Sequence, residues 1–195
     1  MTYLYVGRES EGTKAQLATL TQQTFDDRQI IVGSSSPLVG IDVNHQRLHE
    51  GRAYIAYYVQ NSGTLLANNA SIDFVFAAGP GVTPHMTFGG FCGGDSELFL
   101  YEAPTTTGGD AFTPVNRNRT SANTSNVAMV TNPTVNTVGT ELFKEFIPGG
   151  VKKKAGGGGG DSLEYYLAPL TNYLVRLTNL SGSGQIAEIT LEWYE

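Results

Sequence analysis

The side chains in this sequence best suited to hold a transition metal are its three histidines, His45, His49 and His85. His45 and His49 stand four apart, a spacing that on a helix sets both imidazoles on one face as a clamp. A third ligand is not established by the sequence, and it has no His-Glu-x-x-His pattern. The histidines are therefore read as hydrogen-bonding backbone at the entrance of a domain, with no metal bound. The glycine run Gly156 to Gly160 resembles part of a phosphate cradle. Such a cradle needs Gly-Lys-Ser/Thr opening a helix after a strand. Here Asp161 follows the glycines, and its carboxylate would repel phosphate, so no nucleotide cofactor is expected. No Gly-x-Ser-x-Gly elbow occurs. Carboxylates are numerous enough for a glycosidase pair, but nothing in the sequence sets two at a working separation. Cys92 is the single cysteine. It lies in a glycine-rich stretch with no electropositive neighbour to activate it, and it reads as inert. The expectation is a protein without catalytic residues and without a cofactor.

Other groups read as contacts. Arg117 and Arg119 alternate with Asn116 and Asn118 after Pro114. An extended segment would point both guanidinium forks the same way, where they could hold carboxylates or carbonyls of a neighbour. Pinning of the loop to its own domain is the competing reading. Lys152, Lys153 and Lys154 form a compact positive patch in an acidic chain. It reads either as a solvated loop tip or as a contact with an acidic neighbour. Tyr3 and Tyr5 would share a face if the N-terminus were extended.

These residues need a scaffold, and composition says which kind. The chain has 195 residues, of which 15% are charged, with 24 glycines. That charge share is below the usual quarter and suits a turn-rich β-protein rather than a helical bundle. The net charge of −6 gives no overall positive field to draw nucleic acid. One cysteine excludes an intrachain disulfide framework. The N-terminus has no basic region followed by an apolar run, so no secretory signal is expected. No apolar run approaches the roughly 20 residues of a membrane helix, so no membrane partner is expected.

Strand-like alternation begins after about residue 41. It recurs at 54–59, 71–77, 86–88, 97–101, 126–131, 141–147, 163–167, 173–179 and 185–194. In the last run Ala187, Ile189, Leu191 and Trp193 share one face, while Ile186, Glu188, Thr190, Glu192 and Tyr194 share the other. Leu180 to Gly184, between the last two runs, has the small residues of a hairpin loop, so a closing hairpin with Trp193 in the core is expected. Gly89-Gly90 and Gly93-Gly94 read as punctuation, and 103–113 as a loop. The pattern predicts an all-β, antiparallel, jelly-roll-like sandwich over 41–195. Residues 1–40 differ. A thin apolar face over 9–23 has some helical promise, and Ser34-Ser35-Ser36-Pro37 breaks it. This is expected to be an extended or partly helical N-terminal arm, either a tail or a segment that docks on a neighbour.

Several blocks, taken in order, carry a resemblance. They are Val43 to Gly51, Phe112 to Arg119, Glu141-Leu142-Phe143 before a Pro-Gly and lysine-rich loop, Tyr173 to Asn179, and the ending Leu191 to Glu195. Over about 41–195 they resemble the head decoration, or cement, proteins of tailed bacteriophages. The resemblance implies a β-sandwich on the outer surface of the virion capsid, made in the host cytoplasm and without catalytic activity. Its implied partners are the major capsid protein and copies of itself, as a homotrimer. Arg117, Arg119, Asn116, Asn118, Lys152 to Lys154, Tyr3 and Tyr5 are then the candidate subunit or capsid contacts. A jelly-roll carbohydrate-binding module, with Tyr57, Tyr58 and Tyr101 stacking on sugar, and a head-fibre or tail component are the alternatives.

Overall fold

The computed structural model describes residues 23–25, 28–31, 39–61, 63–149 and 163–195. The chain divides into two compact units, 1–46 and 47–195. In the first, β1 (Gln23–Phe25), β2 (Arg28–Ile31) and β3 (Val39–Asp42) form an antiparallel sheet in that order. The arm expected over 1–40 thus contains strands, built partly on the β-branched Ile30-Ile31 and Val39. Its helical promise over 9–22, together with Tyr3 and Tyr5, lies outside the described residues.

A helix follows where none was expected: α1 (Val43–His49). With Leu48 its one leucine, it is too short for periodicity to reveal it. Its end is defined by hydrogen bonds from Arg52 N–H to Arg47 O at 2.8 Å and from Gly51 N–H to Leu48 O at 3.1 Å. This is the paired 6→1 and 5→2 closure of a helix terminus, which places a left-handed residue at the turn. Gly51 is that residue, at φ 68°. A Cβ there would also collide with Ser121 Oγ.

The second unit is a two-layer sandwich, the all-β architecture that the alternation predicts. Its strands are β4 (Ala53–Gln60), β5 (Ser71–Ala78), β6 (His85–Cys92), β7 (Ser96–Glu102), β8 (Thr105–Thr107), β9 (Asp110–Phe112) and β10 (Val115–Asn116). They continue with β11 (Val127–Thr131), β12 (Thr134–Thr137), β13 (Thr140–Ile147), β14 (Tyr165–Tyr166), β15 (Asn172–Asn179) and β16 (Ala187–Tyr194). One sheet runs β10-β4-β16-β6-β14 and the other β13-β7-β15-β5-β11-β9. Eight of these strands, β4-β16-β6-β14 facing β5-β15-β7-β13, have jelly-roll order. The insertion β8 to β12 adds β10 beside β4 and β11 with β9 beside β5, extending both sheets at one edge.

The expected closing hairpin is not formed. β15 belongs to the six-stranded sheet and β16 to the five-stranded one, so 180–186 arches between layers. Asn179, fully buried, fastens the arch by donating to Leu66 O at 2.8 Å and Ser183 O at 2.7 Å. Alternation assigns a strand's faces but does not name its partner. Gly89-Gly90 likewise does not interrupt the chain but lies inside β6. Gly90 faces the core, where a Cβ would sit 3.1 Å from Leu98 and 3.2 Å from Leu177. The glycine lets those two leucines fill the space between layers.

Between the sheets lie Ala187, Ile189, Leu191 and Trp193 of β16, against Val175 and Leu177 of β15 and Phe74 and Phe76 of β5. Trp193 is 3% exposed and its ring stacks on Tyr54 at 5.8 Å. Its indole N–H is 3.3 Å from both Ser125 Oγ and Glu195 Oε1. Trp193→Ala is expected to cost about 3–5 kcal/mol, read as a lowered urea midpoint. A loss below about 1 kcal/mol would show that the indole packs no core.

Candidate interaction surfaces

Asn116 organises the loop that carries the two arginines. It ends β10 and is buried. Its Nδ2 donates to Gly51 O at 2.9 Å and Asn123 O at 3.0 Å, while its Oδ1 accepts from Asn118 N–H at 2.9 Å. Asn118 donates to His49 O at 3.0 Å, and its Oδ1 accepts from the Thr120 N–H and hydroxyl. The segment after Asn116 is therefore a turn stapled to the α1–β4 junction, not an extended strand. The two arginine forks diverge as a result. Arg117 pairs with Glu192 at 2.9 Å on the outer side of the five-stranded sheet, while Arg119 donates to Asn116 O at 3.3 Å. Both asparagines spend their side chains inside the domain. Lys152, Lys153 and Lys154 lie outside the described residues. Removing the Asn116 amide leaves the buried Gly51 carbonyl and the Asn123 carbonyl short of a donor, so Asn116→Ala is expected to cost about 1–3 kcal/mol. Hydrogen exchange should rise selectively over 116–124; unchanged protection there would refute the organising role.

The two outer faces of the sandwich differ. On the six-stranded sheet, Val75, Phe99, Tyr101 and Leu174 form a second apolar cluster covered by Val135 and Val138. Several polar positions there are paired. Arg176 grips Asp73 through two bonds of 2.7 and 2.8 Å, Lys144 meets Glu97 at 2.8 Å, and Ser71 and Thr178 share a hydrogen bond of 2.8 Å. The five-stranded sheet has no such cover among the described residues. Tyr57 (51% exposed), Val59 and Val115 are open to solvent. In register on this face, Tyr57 neighbours Thr190 and then Gly89, and Val59 neighbours Glu188 and then Phe91. A Cβ at Gly89 would meet nothing within 4 Å, so the middle of the face is flat.

Of the aromatic residues proposed to stack on sugar, Tyr57 alone is open. Tyr58 packs edge-on to Phe74 at 6.5 Å, and Tyr101 is buried. His85 stacks on Tyr194 at 4.7 Å and bonds the Glu164 carboxylate at 2.9 Å, a side-chain partner where backbone was expected. His45 and His49 do share a helix. Among the described residues, no group of three or more His, Cys, Asp or Glu side chains is gathered for a metal. Cys92 is buried. No described helix is long and apolar enough to cross a membrane.

One end of the sandwich carries a cleft of about 690 Å³ between Arg52, the β5–β6 turn, residues 122–126 and Glu195. It was not legible beforehand, because its walls come from four separate stretches. The Glu195 side-chain carboxylate is held in place. It accepts from the Ser125 hydroxyl at 2.5 Å, the Asn126 N–H at 3.0 Å and Asn126 Nδ2 at 2.9 Å. Burial pushes the Tyr54 hydroxyl pKa up, Glu195 adds to the rise and Arg52 opposes it.

Burial also raises the pKa of Tyr101, Tyr165 and Tyr173. These phenols ionise more readily in the unfolded chain than in the folded one. Their contribution is therefore complete below the unfolded value of about 10 and is lost as pH rises through the higher folded values. The thermal midpoint should fall progressively above about pH 10, while a flat profile to pH 11.5 would contradict the burial effect. Compared with protein-family models, curated proteins and solved structures, the chain finds no match.

Proposed function

We propose that this protein is a structural component of a tailed-bacteriophage virion, a decoration or cement protein that binds the outer capsid surface and stabilises the shell. The observation that carries the reading is the inequality of the two outer faces. One sheet covers the apolar residues at its centre and leaves Phe146 and Leu142 open only on its edge strand β13, while the other leaves Tyr57, Val59 and Val115 open beside a flat centre. Exposed apolar surface of this kind marks a contact surface. The resemblance in the ordered sequence blocks names the partner as the major capsid protein.

Size supports a multivalent mode. Three strands of 8 residues flanked by two of 2 residues, at about 3.3 Å per residue and about 4.8 Å per strand, give a face of about 440 Å². A stable interface needs about 800 Å² on each partner. One face is then a weak holdfast, and a homotrimer presenting three of them gains by avidity. Arg117 lies at the rim of this face through its pair with Glu192. A charge there sets orientation more than strength.

The test is co-sedimentation with phage heads assembled without this protein, with light scattering for subunit number. Wild type is expected to bind as a trimer. Tyr57→Asp with Val59→Asp should abolish binding while leaving the thermal midpoint within a few degrees, since both side chains point outward. Arg117→Ala should bind more weakly and with altered salt dependence. Failure of wild type to bind heads, or full binding by the double aspartate variant, would overturn the proposal.

A further inference from the structure

The cleft at the end of the sandwich is chemically distinct from the flat face and independent of the capsid-binding proposal. It collects hydrogen-bonding capacity that the domain does not use. Among the described residues, the Arg52 guanidinium has no ion pair, and the Thr83 and Thr124 hydroxyls make no hydrogen bond. Asn123 and Asn126 spend their amide nitrogens inside the domain, on Glu50 O and Gly51 O for one and on Glu195 for the other. Their amide oxygens remain available. The stapled loop behind the cleft shows the contrast, since there both Asn116 and Asn118 use oxygen and nitrogen alike.

The electrostatics select a ligand class. The cleft holds one cation, Arg52, and one side-chain anion, Glu195, which do not pair with each other. A compact anion at one wall meets the fixed carboxylate and a compact cation at the other meets the guanidinium, so neither suits the cleft throughout. The carboxylate is fixed by Ser125 and Asn126. Its position is therefore set before any ligand arrives, and little ordering cost falls on binding. Donors from a guanidinium, acceptors from two amide oxygens, and two hydroxyls that do both suit a molecule whose own groups both donate and accept. The volume of about 690 Å³ falls within the usual range of about 300–1,000 Å³ for small-ligand sites. Tyr54 is buried beneath it, so no aromatic platform is offered for stacking. We infer that this cleft is a binding site for neutral saccharide, read through vicinal hydroxyl groups by Arg52, Asn123 and Thr124, and weak because stacking is missing.

The experiment is an amide-resolved NMR titration of the full-length protein. The probes are maltose, lactose and mannobiose, with glucuronate and inorganic phosphate as anionic controls. At least one neutral disaccharide is expected to shift amides at 81–83 and 122–126 saturably, with Kd of about 1–10 mM, equivalent to about 3–4 kcal/mol of binding. Arg52→Ala and Thr124→Val should each weaken it by about tenfold, with an unchanged thermal midpoint and unchanged co-sedimentation with heads. That last readout separates this site from the capsid contact. No saturable shift from any of the three sugars at 100 mM would overturn the inference. So would shifts confined to residues outside the cleft, or binding by phosphate or glucuronate with none by neutral sugar.

Discussion

The structure depends on one thin apolar layer. β16 lies in the middle of the five-stranded sheet, hydrogen-bonded along its length to β4 on one side and β6 on the other. Its inward side chains, Ala187, Ile189, Leu191 and Trp193, meet β15 and β5 of the opposite sheet. Two facing sheets lie about 10 Å apart, which leaves room for one interdigitated set of side chains. Everything on the inner faces must share that space. Gly90 has no side chain because Leu98 and Leu177 already occupy its place. Cys92, on the same strand, is fully buried and packs as a small apolar residue.

The constraint reaches outward through the ends of β4 and β16. Trp193 stacks on Tyr54, and its indole N–H points to Ser125 and Glu195. Gly51, three residues before Tyr54, closes α1 and receives the Asn116 amide. Helix end, core tryptophan and arginine loop therefore form one connected group. The loop's position follows from the core rather than from its own composition. The same connection builds the cleft, whose carboxylate is oriented from behind by Ser125, which also lies against the indole N–H.

The two outer faces resolve the same problem in different ways. The insertion between β7 and β13 carries Val135 to the six-stranded sheet and, with Val138, covers Leu174, Val75, Phe99 and Tyr101. This explains why β15 is buried on both faces while β16 alternates. A strand covered twice reads as a continuous apolar run, and one covered once reads as alternation. The five-stranded sheet receives no such cover among the described residues. Its open apolar positions, Tyr57, Val59 and Val115, are the basis of the proposed contact surface.

Sequence alone determined what depends on side-chain period. The inward and outward sets of β16, the placement of Trp193 in the core, the sandwich class and the approximate extents of β4, β5, β7, β11, β13 and β15 all follow from a repeat of two residues. Tertiary structure alone decided what depends on which strands meet. β15 and β16 sit in opposite layers instead of forming a hairpin, because alternation fixes faces and leaves partners open. α1 went unread because seven residues with a single leucine give no helical period. Asn116 looked like any loop asparagine, and its organising role comes from the carbonyls of Gly51 and Asn123, which only folding brings to it. Arg117 and Arg119 diverge because that asparagine turns the chain. The cleft, assembled from residues as distant as Arg52 and Glu195, exists only once β4 and β16 lie side by side.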